Sequence, residues 1–282
     1  MIKKLKNSVT LLPFLVIVAL FELVPLLMII VGSFKPDSGS GVTLDNYVRV
    51  FSKPAYQTAI TNSLIITLFS AFVGIILAVL AASAARNSNR KVQNVFSSIL
   101  NITSNFAGVP LAFAYMIMLG NSGVLIQIGE KFGISAIADF NLYSTSGLAF
   151  MYVYFQIPLG TLLMLPAFDA IKKQWKESAL LMKAGPFKFW LHIGIPVLLP
   201  SILGTISVLF SNALAAYATA YALLQSNYSL LPISITNMFV GDVVMRKGLG
   251  SALSVIMMLL MTIAILINQY FLKRSRKAGA AA

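Results

Sequence analysis

Apolar residues fall in long uncharged runs, and the charged residues sit in short clusters between them. A bilayer core of about 30 Å needs about 20 mostly apolar helical residues, because every backbone N–H and C=O must be paired within the segment. Six runs meet that requirement, near residues 11–32, 61–85, 95–119, 146–168, 196–224 and 249–272. The pattern predicts an all-α integral membrane protein, a single membrane domain over residues 1–282 with six transmembrane helices. The third and fifth runs are the least regular. Gly108 and Pro110 interrupt the third; the fifth belongs to an uncharged stretch reaching Val240, where Asn227, Ser229 and Pro232 read as an exit and a partly buried loop. Lys3, Lys4 and Lys6 precede the first run, which is too long for a signal peptide and lacks a small-x-small cleavage site after it, so the segment is expected to be retained. A polar loop with Lys35, Asp37, Gly39 and Gly41 follows, and Leu44-Asp45-Asn46-Tyr47 within it leaves room for a short surface helix.

The charges orient the six runs. Lys3, Lys4 and Lys6, then Arg86, Arg90 and Lys91, then Lys172, Lys173, Lys176, Lys183 and Lys188, and finally Lys273, Arg274, Arg276 and Lys277 all fall on one side of a six-span chain. The opposite loops hold Lys35, Arg49, Lys53, Lys131, Arg246 and Lys247, mixed with Asp37, Asp45, Glu130, Asp139 and Asp242. The positive-inside bias puts both termini in the cytoplasm. Composition agrees: 58% of residues are apolar and only 10% charged, too few to build a soluble surface. A net charge of +13 would by itself invite a nucleic-acid partner, but clusters confined to one face are accounted for by anionic lipid headgroups, so no nucleic acid is expected.

The chemistry available is narrow. With no Cys there is no disulfide, thiol nucleophile or thiolate metal site, and a single histidine, His192, cannot build a multi-histidine metal centre. No phosphate-binding G-x-x-x-x-G-K-[ST] segment occurs, so any ATP used must be bound by another chain. No catalytic residue, metal or cofactor is assigned to this one.

Residues 169–195, between the fourth and fifth runs, are far more than a return turn requires. Ile171, Trp175, Ala179 and Met182 recur at three- and four-residue spacing, which predicts a short helix with one apolar face and lysines on the other. Ala184-Gly185-Pro186 is expected to stop it, and Phe187, Phe189, Trp190 and Leu191 to begin a second short segment that enters the membrane at Pro196. Such a hairpin is either a docking surface for another protein or an interfacial element with Trp175 and Trp190 anchored among the headgroups.

Here the residues resemble a known pattern. Glu177-Ser178-Ala179, three residues, Lys183, nine residues and Ile193-Gly194-Ile195-Pro196 are similar to the E-A-A-x-x-x-G-x(9)-I-x-L-P loop of permease subunits in binding-protein-dependent ABC importers of type I. Ser178 and Ile195 are mild departures. Lys183 stands where the motif has glycine; the nearest glycine is Gly185. Leu44-Asp45-Asn46-Tyr47, Thr61-Asn62-Ser63-Leu64 and Pro196-Val197-Leu198-Leu199-Pro200 extend the resemblance over most of the chain. It implies that the loop is a cytoplasmic coupling-helix hairpin seated in an ATPase subunit. Glu177, Ser178 and Ala179 would form the contact, Trp175 and Leu180 its packing, and Lys183 and Gly185 the turn. The implied partners are two ABC ATPase subunits carrying ATP and Mg, a second permease chain (a paralogue or a second copy), an extracellular or periplasmic solute-binding protein, and membrane lipid.

Polar or small residues at membrane depth are the candidates for the solute path. The fifth run supplies Ser207, Ser211, Asn212, Tyr217, Thr219 and Tyr221, with Ser211, Asn212 and Tyr217 the first choices; the alternative is that such residues only pack helices together. Glu22 is the one acidic residue well inside a run, and would either attract a cationic solute or be paired or protonated. Asn101, Asn105 and Gln156 are further polar groups without an assigned partner. The segment 212–221 resembles permeases for polyamines, ferric iron or phosphonates, and a polyamine such as spermidine or putrescine is the preferred solute. The competing functional class is an ATP-independent secondary transporter or channel, against which no inverted repeat and no paired broken, charged spans are evident.

Overall fold

Backbone polar groups cannot be left unpaired in lipid, and the described residues answer with helices and no strand among them. The computed structural model describes residues 12–225, 228–240 and 245–280; Lys3, Lys4, Lys6, Leu11, Asn227 and Asp242 lie outside them. Among the described residues, six helices are long and apolar enough to cross a bilayer: Leu12–Ser33, Pro54–Arg86, Val109–Phe132, Thr145–Ala170, Pro186–Leu214 and Lys247–Lys273. The protein is an all-α, multi-pass membrane protein. Its helices fall into two compact units, one drawn from residues 1–60 and 229–259, the other from residues 61–228 and 260–282.

In the first unit, helix α1 (Leu12–Ser33) is exposed along its flanks, and only its last turn is tied down. The expected surface helix is present as α2 (Asp45–Ser52). Its Asn46 is buried and donates Nδ2–H to Ser33 O at 3.0 Å and to Lys35 O at 2.8 Å, so a side chain satisfies carbonyls left open at the end of α1. Tyr47 adds a hydroxyl bond to Ser33 Oγ at 2.7 Å. Asp37 caps the opposite way: its Oδ1 accepts the Gly248 and Leu249 amides at 2.8 and 3.3 Å, at the start of the last helix.

In the second unit, α3 (Pro54–Arg86) begins in the other unit and continues here. Its 33 residues make a rod of about 50 Å, longer than the hydrocarbon core. Small residues bring α3 against α7 (Thr145–Met164) and α9 (Pro186–Leu214). A Cβ on Gly160 would stand 2.9 Å from Ala78 Cβ and 3.3 Å from Leu209 Cδ1, so the glycine sets the helix separation. Ala71, Ile75, Ala82, Met164, Phe168, Leu198 and Leu209 form the buried cluster between these helices.

Two runs are organised differently from the sequence pattern. The third, expected as one helix over 95–119, is split: α4 (Arg90–Asn105) is a separate amphipathic helix, and the crossing is made by α5 (Val109–Leu119) and α6 (Val124–Phe132). Gly108 has φ 72° and Pro110 lacks an amide hydrogen, so the helix cannot run through 106–108. Asn101 and Asn105, singled out as polar groups at membrane depth, lie exposed on α4 and donate to the Ser97 and Asn101 carbonyls one turn back. The fifth run, expected over 196–224, starts earlier and ends sooner. It runs from Pro186 to Leu214, breaks at Ala215-Ala216, and resumes as α10 (Tyr217–Leu224). The region read as a partly buried loop around Pro232 is helix α11 (Leu231–Val240); proline is tolerated in a first helical turn, where its missing amide would be unpaired anyway. Helix α12 (Lys247–Ala280) completes the chain.

Candidate functional site

The hairpin between the fourth and fifth crossings is built by a specific turn. Helix α8 (Lys173–Leu181) ends with the Lys183 amide donating to Leu180 O and the Ala184 amide donating to Ala179 O, both at 2.9 Å. This pair of bonds is the Schellman arrangement, whose turning residue must be left-handed. That residue is Lys183, with φ 54°, so a lysine holds a conformation that favours glycine, at the position where the resembled motif has one. Gly185, expected to break the helix, is instead extended at φ −66° and ψ 162° and caps the start of α9. The stop therefore lies two residues earlier than the sequence pattern predicts, because hydrogen bonding at the helix end, not glycine content, decides it.

The hairpin's second arm is continuous with the fifth crossing. Pro186–Phe189, a π turn Trp190–Gly194 and the helix Ile195–Leu214 form one rod. The Trp190 ring lies so close to Gly194 that a Cβ there would overlap it, and it packs edge-on to Phe168 and Phe189. Trp190 thereby locks the foot of the rod to the buried cluster.

The candidate docking residues divide by exposure. Ala179 is buried and Trp175 half-buried, with the Lys172 ammonium 5.9 Å from the Trp175 ring centroid. Glu177 and Ser178 are exposed, and Glu177 pairs with Lys173 at 3.5 Å. Three of the four residues expected on one apolar face share it, and Met182 does not. Ile171, Trp175 and Ala179 turn inward, while Leu180, Leu181, Met182 and Phe187 project outward at 69, 86, 73 and 78% exposure. Four large apolar side chains at one exposed tip, beside Glu177 and Ser178, form a surface shaped for contact.

At membrane depth, the two helix breaks are satisfied by side chains. The Tyr152 hydroxyl donates to Ala216 O at 2.6 Å, and the Gly108 amide donates to Thr219 Oγ1 at 3.0 Å. Irregular backbone at such depth persists only where protein or a cavity satisfies it. Gln156, fully buried, donates to Leu209 O at 2.6 Å and accepts from Asn212 Nδ2 at 3.3 Å. Tyr217 and Tyr221 stack with centroids 5.1 Å apart, and Tyr221 is 40% exposed. The Ser211 hydroxyl is buried without a hydrogen-bond partner among the described residues. Ser211, Asn212, Tyr217 and Tyr221 thus lie together around the break after Leu214, with Gln156 and Tyr152 as supports. Tyr152 escaped the sequence reading, since a tyrosine in an aromatic-rich helix carries no pattern of its own. Glu22 belongs to the first unit and is exposed on α1, in a π turn. His192 is exposed, its Nδ1 3.0 Å from Lys188 O. No group of three His, Cys, Asp or Glu able to hold a metal occurs among the described residues.

Residues 74–277, which include this hairpin and both breaks, match the family described as binding-protein-dependent transport system inner membrane component. The chain belongs to that family. As a type I ABC importer permease it has relatives with different cargoes. It is 28% identical over 203 residues, 69% of this chain and 67% of the other, to a probable starch degradation products transport system permease protein of Thermoanaerobacterium thermosulfurigenes. It is 22% identical over 288 residues, 98% of this chain and 95% of the other, to a spermidine/putrescine transport system permease protein homologue of Mycoplasma genitalium. The fold is shared with a chain of a bacterial ABC transporter that imports the acidic polysaccharide alginate, at TM-score 0.77, 16% identity and 96% coverage of both chains.

Proposed function

We propose that this permease forms the translocation path for a small polar solute handed over by an external binding protein, and that α8 couples it to the ATPase. In this reading two ABC ATPase subunits carry ATP and Mg, a second permease chain completes the path, and both termini face the cytoplasm. This chain performs no chemistry and binds no cofactor. The observation that carries the reading is the hairpin: an apolar tip of Leu180, Leu181, Met182 and Phe187 joined through the Lys183 turn to a rod that ends at the membrane-depth break. One turn at 182–185 joins the tip to a continuous helical rod that reaches Ser211 and Asn212, a path along which a displacement can pass to the break, as a two-state switch requires. Glu177, Ser178 and Leu180 are the exposed coupling residues, buried Ala179 and half-buried Trp175 hold α8 in place behind them, and Lys183 and Gly185 form the turn.

The solute reading is a polyamine such as spermidine or putrescine. Its support is the nearly full-length similarity to a spermidine/putrescine permease homologue and the stacked Tyr217–Tyr221 pair, whose faces attract ammonium groups. Asn212 and the unpaired Ser211 hydroxyl supply polar contacts, and Glu22 would draw a cation toward the membrane. The test is reconstitution of the full chain with its co-purifying ATPase and binding protein, reading ATP hydrolysis against a panel of solutes. Spermidine or putrescine should raise turnover, and Glu177→Lys should insert normally but lose transport. Normal uptake by Glu177→Lys would remove the coupling assignment; stimulation by sugars alone would remove the polyamine.

A further inference from the structure

A cavity of about 440 Å³ lies at the foot of the hairpin, within the size range of ligand sites. Every charged side chain in its wall is a cation: Arg86 from the end of α3, and Lys173 and Lys176 from α8. Asn87 adds a polar edge, and Phe168 and Trp190 make an apolar floor. Two of the cations have carboxylate partners outside the lining, Arg86 with Asp169 at 2.6 Å and Lys173 with Glu177 at 3.5 Å. Lys176 differs. Its ammonium is 3.5 Å from Asn87 Oδ1 and 5.9 Å from the Trp190 ring centroid, and it has no carboxylate partner among the described residues.

The position narrows the anion. Arg86 is the last residue of a membrane-crossing helix and Phe168 lies in the last turns of another, so the cavity opens at headgroup depth. The anion concentrated there is a lipid phosphate, and basic recesses between membrane helices are where such heads are held. Arg86 keeps guanidinium N–H donors free after pairing with Asp169, and Lys176 brings a full charge over an apolar floor that suits a glycerol backbone. We propose that this cavity binds the phosphate of an anionic phospholipid, held by Lys176 and Arg86 above Phe168 and Trp190. A bound lipid would tie the end of α3 to α8, making hairpin movement sensitive to lipid composition. This goes beyond the coupling reading and is measured without ATPase or solute.

The test places the full chain in nanodiscs of phosphatidylcholine and phosphatidylglycerol in equal parts and counts retained lipids by native mass spectrometry. The wild type should retain phosphatidylglycerol over phosphatidylcholine. Lys176→Gln should reduce that retention about tenfold, as loss of a charged hydrogen bond implies. Asn87→Asp, which places a carboxylate beside an intact Lys176, should do the same, while Lys91→Gln, outside the cavity, should not. Retention unchanged in both cavity variants overturns the site. Displacement of the lipid by millimolar inorganic phosphate, with no preference between the two lipids, overturns the lipid source in favour of free phosphate.

Discussion

Gln156 fills a space that exists because residue 74 has no side chain. A Cβ on Gly74 would stand 2.7 Å from Gln156 Cβ, so α3 and α7 meet backbone to side chain at that level. The contact holds the Gln156 amide against Leu209 O and Asn212, and so sets the geometry beside the candidate path. Gly74→Ala should destabilise the protein by about 1–3 kcal/mol, the usual cost of overpacking. Thermal unfolding in detergent reads this as a lower Tm. A wild-type Tm in Gly74→Ala would show the two helices are free to part.

Lys183 carries the strain of a left-handed residue, about 1–2 kcal/mol for a side chain with a Cβ. Lys183→Gly should therefore stabilise the hairpin by about 1 kcal/mol, and slow hydrogen exchange at the Ala184 amide, which closes the turn on Ala179 O. Lys183→Val should speed it. Equal exchange in all three proteins would mean that the turn does not depend on this conformation.

Tyr152→Phe removes the donor to Ala216 O at the break in the fifth crossing. An unpaired carbonyl at that depth costs about 1–3 kcal/mol, so the variant should unfold at lower temperature. Thr219→Val should act alike by leaving the Gly108 amide unpaired. If neither lowers Tm, the breaks are satisfied by other groups.

In the first unit, Gly248 allows the start of α12 to reach the loop after α1. A Cβ there would overlap Lys35 O and stand 2.8 Å from Asn46 Nδ2 and 3.1 Å from Asp37 Oδ1. Gly248→Ala should loosen the Asn46 and Asp37 caps together and lower stability by about 1–3 kcal/mol. Limited proteolysis across 34–44 should become faster. Unchanged cleavage would dissociate the caps from this close approach.

The six crossings were readable because lipid demands length and apolarity, and both are local properties of a sequence. The short helices at Lys173 and Asp45 were readable for a similar reason, since each is a contiguous pattern. Gly108 and Pro110 marked the break in the third run, but not that residues 90–105 would leave it as a separate amphipathic helix.

What tertiary structure decided was partnership. That Gly74 faces Gln156 and that Tyr152 pairs with Ala216 depend on which atoms meet across separations no local pattern encodes. Sequence by itself determined that the chain must cross a membrane as helices, because hydrocarbon offers the backbone no other partner. Only the folded arrangement decided where those helices break, since a break at depth survives only if a neighbouring side chain arrives to take its place in the hydrogen bonding.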